Sequence, residues 1–343
     1  MEYQEQARRL AFSVTMTPAR FQRLIRQKSR AMADDILAIS KQDERRRETF
    51  RQLRNDIREQ NTEAWDYFDA VIYSMQQNGL IMLQRMDEVG EDDHSDSRTA
   101  LSLVHAGATL TLCEIRTLLL EGLWAGAAAR WRALHELTVT AVLVAAGGTS
   151  IARRYLDHGF VVQTERFARF YDRHARGPLP EATLRRRRIR SQIIIERSTL
   201  PNQHGSFKDQ YGWATPLMPL DRNGKRQKPT FPELEKLTQL DFYRELVVTA
   251  HGLAHTDSGG VTAMSLHGPG IYAFGPVNAF IATVARPSLE SIIHCIGSTH
   301  LGFEDSINES AQLLGLLASG AMDLARRGAD MFPLDDQPRP DHT

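Results

Sequence analysis

Residues 99–148, "TALSLVHAGATLTLCEIRTLLLEGLWAGAAARWRALHELTVTAVLVAAGG", decide the fold. The arm 99–123 is apolar on most sides, and the arm 124–148 returns and stops at a glycine pair, Gly147 and Gly148. Ala125, Gly126, Ala127, Ala128 and Ala129 allow two backbones to approach closely. A helix that is apolar all round belongs in the centre of a bundle. The stretch is therefore expected to form a central antiparallel helical hairpin.

Outward from it the chain reads as helices. Thr17 and Pro18 form an N-cap followed by proline at the first helical position, with apolar residues recurring through Leu37. Residues 41–60 are almost wholly charged, with Phe50, Leu53 and Ile57 as a thin apolar stripe, so this helix packs along one edge against another helix or a partner chain. A helical pattern from about Thr62 to Met86 ends at the acidic stretch "DEVGEDDHSDS". Helices are predicted at about 150–175 and 181–198, then an irregular loop over 200–230. A short helix from Pro232 and a longer one over about 240–255 follow. Glycine-flanked runs at 261–266 and 271–274 suit a small β-hairpin. A last helical region runs from about Pro276 to Ala329, interrupted near Pro287 and Gly302. The expected architecture is an all-α, multi-helix bundle with that small irregular or β-hairpin insertion. Its parts are an N-terminal helical arm (1–90), a bundle core (94–330) and a polar tail (331–343).

The 343 residues, 42% apolar, suffice for a sizeable core. Acidic and basic residues balance at 42 each, so no overall field draws the protein to nucleic acid or an anionic membrane. Cys113 and Cys295 are too few for a disulfide framework or a cysteine-rich zinc site, which points to a reducing cytoplasm. The N-terminus lacks a signal-peptide core, and the longest apolar run, 137–146, is about half a membrane span, so no membrane association is expected. There is no P-loop, no glycine-rich dinucleotide fingerprint and no nucleophile elbow, hence no expected cofactor.

Two constellations carry possible chemistry. In "ARWRALHEL" (129–137), Arg132, His135 and Glu136 fall within about 100° on a helix wheel, while Arg130 points elsewhere. Together they form a buried ion pair capped by a histidine, or the wall of a cleft; Glu114 and Arg116 on the preceding arm could extend that network. In "RELVVTAHGLAHTD" (244–257), Arg244, His251 and His255 align within about 20° on one stripe. The two histidines at i and i+4 would suit a metal, but no adjacent Glu or Cys completes the ligand set, and no metal is expected. His158, in "RRYLDHGF" (153–160), supports a packed helix end. "RRRRIR" (185–190) offers Arg185, Arg186, Arg187, Arg188 and Arg190 as an RNA-contacting face or a solvated one.

The ordered series "ARWRALHEL", "RYLDH", "YGWA" (211–214), "TAHGLAH" and "GPVNAF" (275–280) resembles an uncharacterised bacterial family of helical proteins over about residues 98–325. A looser similarity connects such proteins to the HEPN superfamily. These are helical domains that often act as metal-independent ribonucleases in toxin and phage-defence systems. Their Arg-x4–6-His signature occurs here six times among 12 histidines: Arg98–His105, Arg130–His135, Arg153–His158, Arg169–His174, Arg197–His204 and Arg244–His251. Spacing alone cannot rank these pairs. Arg244–His251 fits best, because Glu245 supplies the polar residue the signature prefers after arginine. The resemblance implies an endoribonuclease in which His251 or His255 exchanges a proton with RNA and Arg244 holds the phosphate. Arg130, Arg132, His135, Glu136 and His158 would support them, and a homodimer would form the cleft. The alternatives are a non-catalytic interaction or sensor protein using helix 41–60 to hold a protein partner, and a metal-dependent hydrolase centred on His251 and His255.

Overall fold

The computed structural model describes residues 32–41, 43–90, 92–174, 179–255, 280–303 and 309–332, with positions 23, 29, 259, 260, 262, 276 and 277. The chain forms two compact units that divide between Gln52 and Leu53. In the first, residues 32–41 are helical and expose Met32, Ile36, Leu37 and Ile39. The helix start expected at Thr17 and Pro18 lies outside the described residues.

Helix α1, Glu44–Gln60, is the charged segment of the sequence. Its C-terminal half belongs to the larger unit, where Ile57 is fully buried and Leu53 packs on the core. Helix α2, Thr62–Val89, follows directly, and its Trp65 indole donates to the Ile57 carbonyl at 2.9 Å. Trp65, Phe68, Val71, Ile72 and Met75 give α2 a buried stripe at helical spacing. The arm expected over 1–90 is thereby divided, because residues 53–90 share the core of the larger unit.

Helices α3, Ser95–Leu120, and α4, Trp124–His174, form the interior. Gly126 lies against Leu118, Arg130 bonds Glu114 and Thr111, Gly107 lies against Leu137, and Ser97 meets Thr149. Positions fall on one helix as they rise on the other. Between them Gly122, at φ 69°, accepts a hydrogen bond from the Val277 amide at 3.0 Å. A Cβ there would stand 2.8 Å from the Val277 carbonyl, so both the backbone angle and the close approach require glycine. The long α4 is two helical arms joined at Gly148, the one residue within it at non-helical angles, φ 59° and ψ −160°. The chain thus breaks its helix at the glycine pair, then restarts at once.

The second arm of α4 packs on α5, Glu181–Ser198. The loop after α5 holds single bridges from Arg226 to Gln203 and Leu220, and a 3-10 turn over Gly212–Leu217. Helix α6, Phe231–Thr238, opens on a capping box: Thr230 and Glu233 bond reciprocally, with Pro232 in the first turn. Gln239, in the left-handed region at φ 59°, stops it. A 3-10 turn, Asp241–Tyr243, leads into α7, Arg244–His255. Helices α8, Ile281–Leu301, and α9, Glu309–Met331, close the core against α4, α3 and α2.

The fold is all-α, and the described residues contain no strand. The β-hairpin expected within 261–274 lies outside the described residues, Thr262 apart. Pro287 does not interrupt α8 as expected. The buried helix runs through it, packed against α4 and α9, and tertiary packing outweighs the local penalty. The break at Gly302 is present. Of the tail 331–343, Met331 and Phe332 are described, and Phe332 is buried.

Both α3 and α4 are long and apolar enough to cross a membrane by length and composition, and in each 44% of the apolar window is buried inside the fold. That is the property of inner bundle helices as much as of membrane spans.

Candidate functional site: a buried histidine linked to helix α7

Glu235 joins the two constellations read from the sequence. It sits on the inner face of α6 with Phe231 and Leu234, held there by the capping box, and is completely buried. His135 of α4, also completely buried, meets Glu235 Oε1 at 3.0 Å through Nε2. A carboxylate only accepts, so Nε2 carries the proton. The other carboxylate oxygen accepts from Arg244 Nη1 at 2.6 Å, and the Arg244 side chain is 38% exposed. Burial alone would push the Glu235 carboxyl up. The bonds from His135 and Arg244 outweigh it and hold the group below its ordinary value of 4.5.

Aromatic rings fix the imidazole. Trp131 stacks on His135 at 5.4 Å between centroids, and Phe231 and Tyr243 meet its edge or face at 87° and 81°. The Trp131 indole is held by Ser291 Oγ at 3.2 Å, and the Tyr243 hydroxyl by Glu290 at 2.6 Å. His135 Nδ1 is buried and finds no partner among the described residues. The ring is thus sealed in the core, with its protonated nitrogen committed to Glu235.

The grouping of Arg132, His135 and Glu136 into one network is corrected in part: the i,i+4 pair Arg132–Glu136 is present, and His135 stands apart from it. His135 turns to α6. Glu136 turns to the loop after α5, accepting from the Tyr211 hydroxyl at 2.8 Å, while Arg132 stands 3.9 Å from its other oxygen. Burial and then the Glu136 charge raise the Tyr211 hydroxyl far above its ordinary value. Arg130 leaves this seam and pairs with Glu114 on α3; Arg116 pairs with Asp69 of α2. His158 donates from Nε2 to the Asp209 carbonyl at 2.8 Å, and burial lowers its affinity for a proton. Beside it Arg154 holds three carbonyls, those of Ser198, Trp213 and Gly212, at 2.8, 3.0 and 3.4 Å. These contacts anchor the irregular loop to α4.

On α7, His251 and His255 are both exposed, with ring centroids 4.3 Å apart. Arg244 lies two turns earlier, about 10 Å along the helix axis from His251. Its guanidinium is bound by Glu235. Among the described residues no group of three or more His, Cys, Asp or Glu is placed to hold a metal ion. On α5, Arg187 and Arg190 lie over the Phe160 ring at 4.2 and 4.8 Å, and Arg188 pairs with Asp172 at 2.8 Å. Arg185 and Arg186 are exposed.

Sequence reasoning missed Glu235 and the role of Tyr211, and read Arg154 only as part of the packed helix end "RRYLDHGF". For Glu235 the available signal was an acid on the apolar stripe of a short capped helix, four residues after Phe231. No curated protein and no solved structure matches the chain. Residues 98–267, which include His135, Glu235 and all of α7, match the model of a family of unknown function (DUF5677).

Proposed function

We infer that the protein is a HEPN-like, metal-independent endoribonuclease whose acid–base groups are His251 and His255, acting in the cytoplasm as a toxin or phage-defence effector and as a homodimer. The observation that carries this reading is the exposed pair of imidazoles 4.3 Å apart on α7, with Arg244 two turns away and steadied by a buried carboxylate. Helices α3 and α4 then serve as the central antiparallel hairpin of such a domain, and the side of α5 that carries Arg187 and Arg190 as a contact for RNA.

In that reaction the RNA 2′-oxygen attacks the adjacent phosphorus as one imidazole takes its proton. The bond to the 5′-oxygen breaks as the other imidazole returns a proton to it, giving a 2′,3′-cyclic phosphate and a 5′-hydroxyl. Arg244 stabilises the charge that develops on the phosphate oxygens. Glu235 fixes where that guanidinium stands, and His135 fixes Glu235.

The test is cleavage of end-labelled RNA in EDTA by the wild type and by His251→Ala and His255→Ala. Cleavage by the wild type, reduced about 10²- to 10⁴-fold in either variant, is expected. No cleavage, or equal cleavage by all three, refutes the reading and favours a non-catalytic helical interaction protein using helix 41–60. Cleavage that requires added zinc and is lost in EDTA favours a metal-dependent hydrolase instead.

A further inference from the structure

The arginines around the α4–α5 pair divide by face. On the α5 side, Arg188 turns to Asp172, and a depression beside it is lined by Tyr171, Asp172, Glu181 and Arg185, so both signs of charge are present. The opposite flank is different. Arg187 lies over Phe160 and Phe167 and bonds Gln163 and Thr164, and Arg190 shares the Phe160 ring.

Next to that flank, Arg166, Arg169, Phe170 and Arg173 fall within about 100° of one another on α4. With His174 they line a second depression that contains no acid. Arg166, Arg169, Arg173 and Arg190 are exposed, and none makes an ion pair among the described residues. Phe170 is 49% exposed in the middle of these cations, its ring against His174 at 4.6 Å. In a chain whose formal charge is zero, a one-sign surface with an open aromatic ring is a local feature that calls for an anionic partner.

We propose that Arg166, Arg169, Phe170, Arg173, Arg187 and Arg190 form the surface that holds single-stranded RNA, which rests on the ribonuclease reading of α7. The chemistry selects this ligand. Three arginines span about 10 Å of α4, room for more than one phosphate, and guanidinium groups already seated over phenylalanine rings offer surfaces for stacking. An exposed phenylalanine among them provides a platform for an unpaired base of any identity. Arg185, Arg186 and Arg188, on the charge-balanced side, are thereby left out of the RNA surface, although they belong to the same basic run.

The experiment measures binding of a fluorescein-labelled, unstructured 12-nucleotide RNA by fluorescence anisotropy, in EDTA and on the His251→Ala background. Replacing Arg166, Arg169 and Arg173 together by Glu is expected to weaken binding at least tenfold. The slope of log affinity against log salt should become shallower by about 2, for three lost phosphate contacts. Phe170→Ala should weaken binding about fivefold or more. The pair Arg185→Glu and Arg186→Glu should stay within twofold of the parent, and circular dichroism confirms that each variant is helical.

Parent-like binding by the triple variant overturns the proposal, as does an equal loss in the Arg185/Arg186 pair. It is also overturned if phosphatidylglycerol vesicles bind through these arginines while RNA does not. The two readings fail separately. If His251→Ala and His255→Ala both cleave as the wild type does, α7 is not the catalytic element, but an RNA affinity that depends on Arg166, Arg169 and Arg173 still establishes the surface.

Discussion

Glu235 is the side chain whose loss should be felt furthest from its own position. Its carboxylate is fully buried and has two partners, His135 at 3.0 Å and Arg244 at 2.6 Å. Glu235→Gln keeps the shape and still accepts from His135 but removes the charge, so it should cost one charge-assisted bond, about 1.5–3 kcal/mol. Glu235→Ala also leaves the buried His135 proton without an acceptor and opens a cavity, raising the cost to about 3–5 kcal/mol. Arg244 is part-exposed and can turn to water, so Arg244→Ala should cost less than Glu235→Ala. At roughly 2–4 °C per kcal/mol, the Gln variant should melt about 3–12 °C lower and the Ala variant about 6–20 °C lower. The charge effect carries a pH signature. Because the folded carboxyl titrates below 4.5, its stabilisation is present above pH 4.5 and is lost as the pH falls through the lowered value. Thermal melts of wild type and Glu235→Gln between pH 3 and 8 measure this, with the gap closing at the acid end. A Glu235→Gln variant that melts with the wild type at pH 7, or a gap that does not change with pH, would show that the carboxylate does not organise this region.

Three further outcomes are expected. Gly148→Ala meets nothing within 4 Å, so its cost is purely the backbone strain at φ 59°, about 1–3 kcal/mol. Gly159→Ala, exposed on the same helix with equally open space, should instead stabilise by about 0.5–1 kcal/mol; urea unfolding of the two variants checks the opposed signs. His105 and His158 are both held neutral, chiefly by burial, so the unfolded chain binds protons there more readily than the folded one. Stability should fall as the pH drops below 6.5, and His158→Gln should remove part of that slope in chemical denaturation series at pH 5 to 7. Arg154→Met keeps the stem but releases the carbonyls of Ser198, Gly212 and Trp213. It should cost about 2–3 kcal/mol and speed hydrogen exchange over residues 212–215 ahead of the rest of the core; uniform exchange would contradict the anchoring role.

What the sequence revealed follows the reach of its signals. Periodicity and punctuation are local, so the all-α class, the helix from Thr62, the stop at Gly148 and the 181–198 helix were readable. Pro287 misled because a proline rule carries no knowledge of the helices packed around it. A helix wheel sorts directions on one helix and is blind to what arrives from elsewhere. Arg132, His135 and Glu136 do share a side of α4, yet His135 meets a residue 100 positions later and Glu136 one 75 positions later. The link between "ARWRALHEL" and Arg244 passes through Glu235, an ordinary acid in a short helix, and only three-dimensional packing brings it there. The Arg-x4–6-His spacing shared by six pairs was likewise uninformative. Their surroundings separate them, since His105 is 2% exposed and bonded to the Met75 carbonyl while His251 faces outward.

The reach of α4 also bears on how this protein can be dissected. The DUF5677 match runs from 98 to 267, yet Trp131 and Thr138 of α4 are held by Ser291 of α8, and α2 and α9 cover the same core. A polypeptide trimmed to the matched boundaries would open Trp131, Leu134, Ile115 and Leu119 to water and should aggregate on expression. The compact unit that keeps these helices together begins at Leu53 and takes in the buried Phe332. If the domain was exchanged between proteins in evolution, the unit that moved carried its own helical jacket or met one already in place.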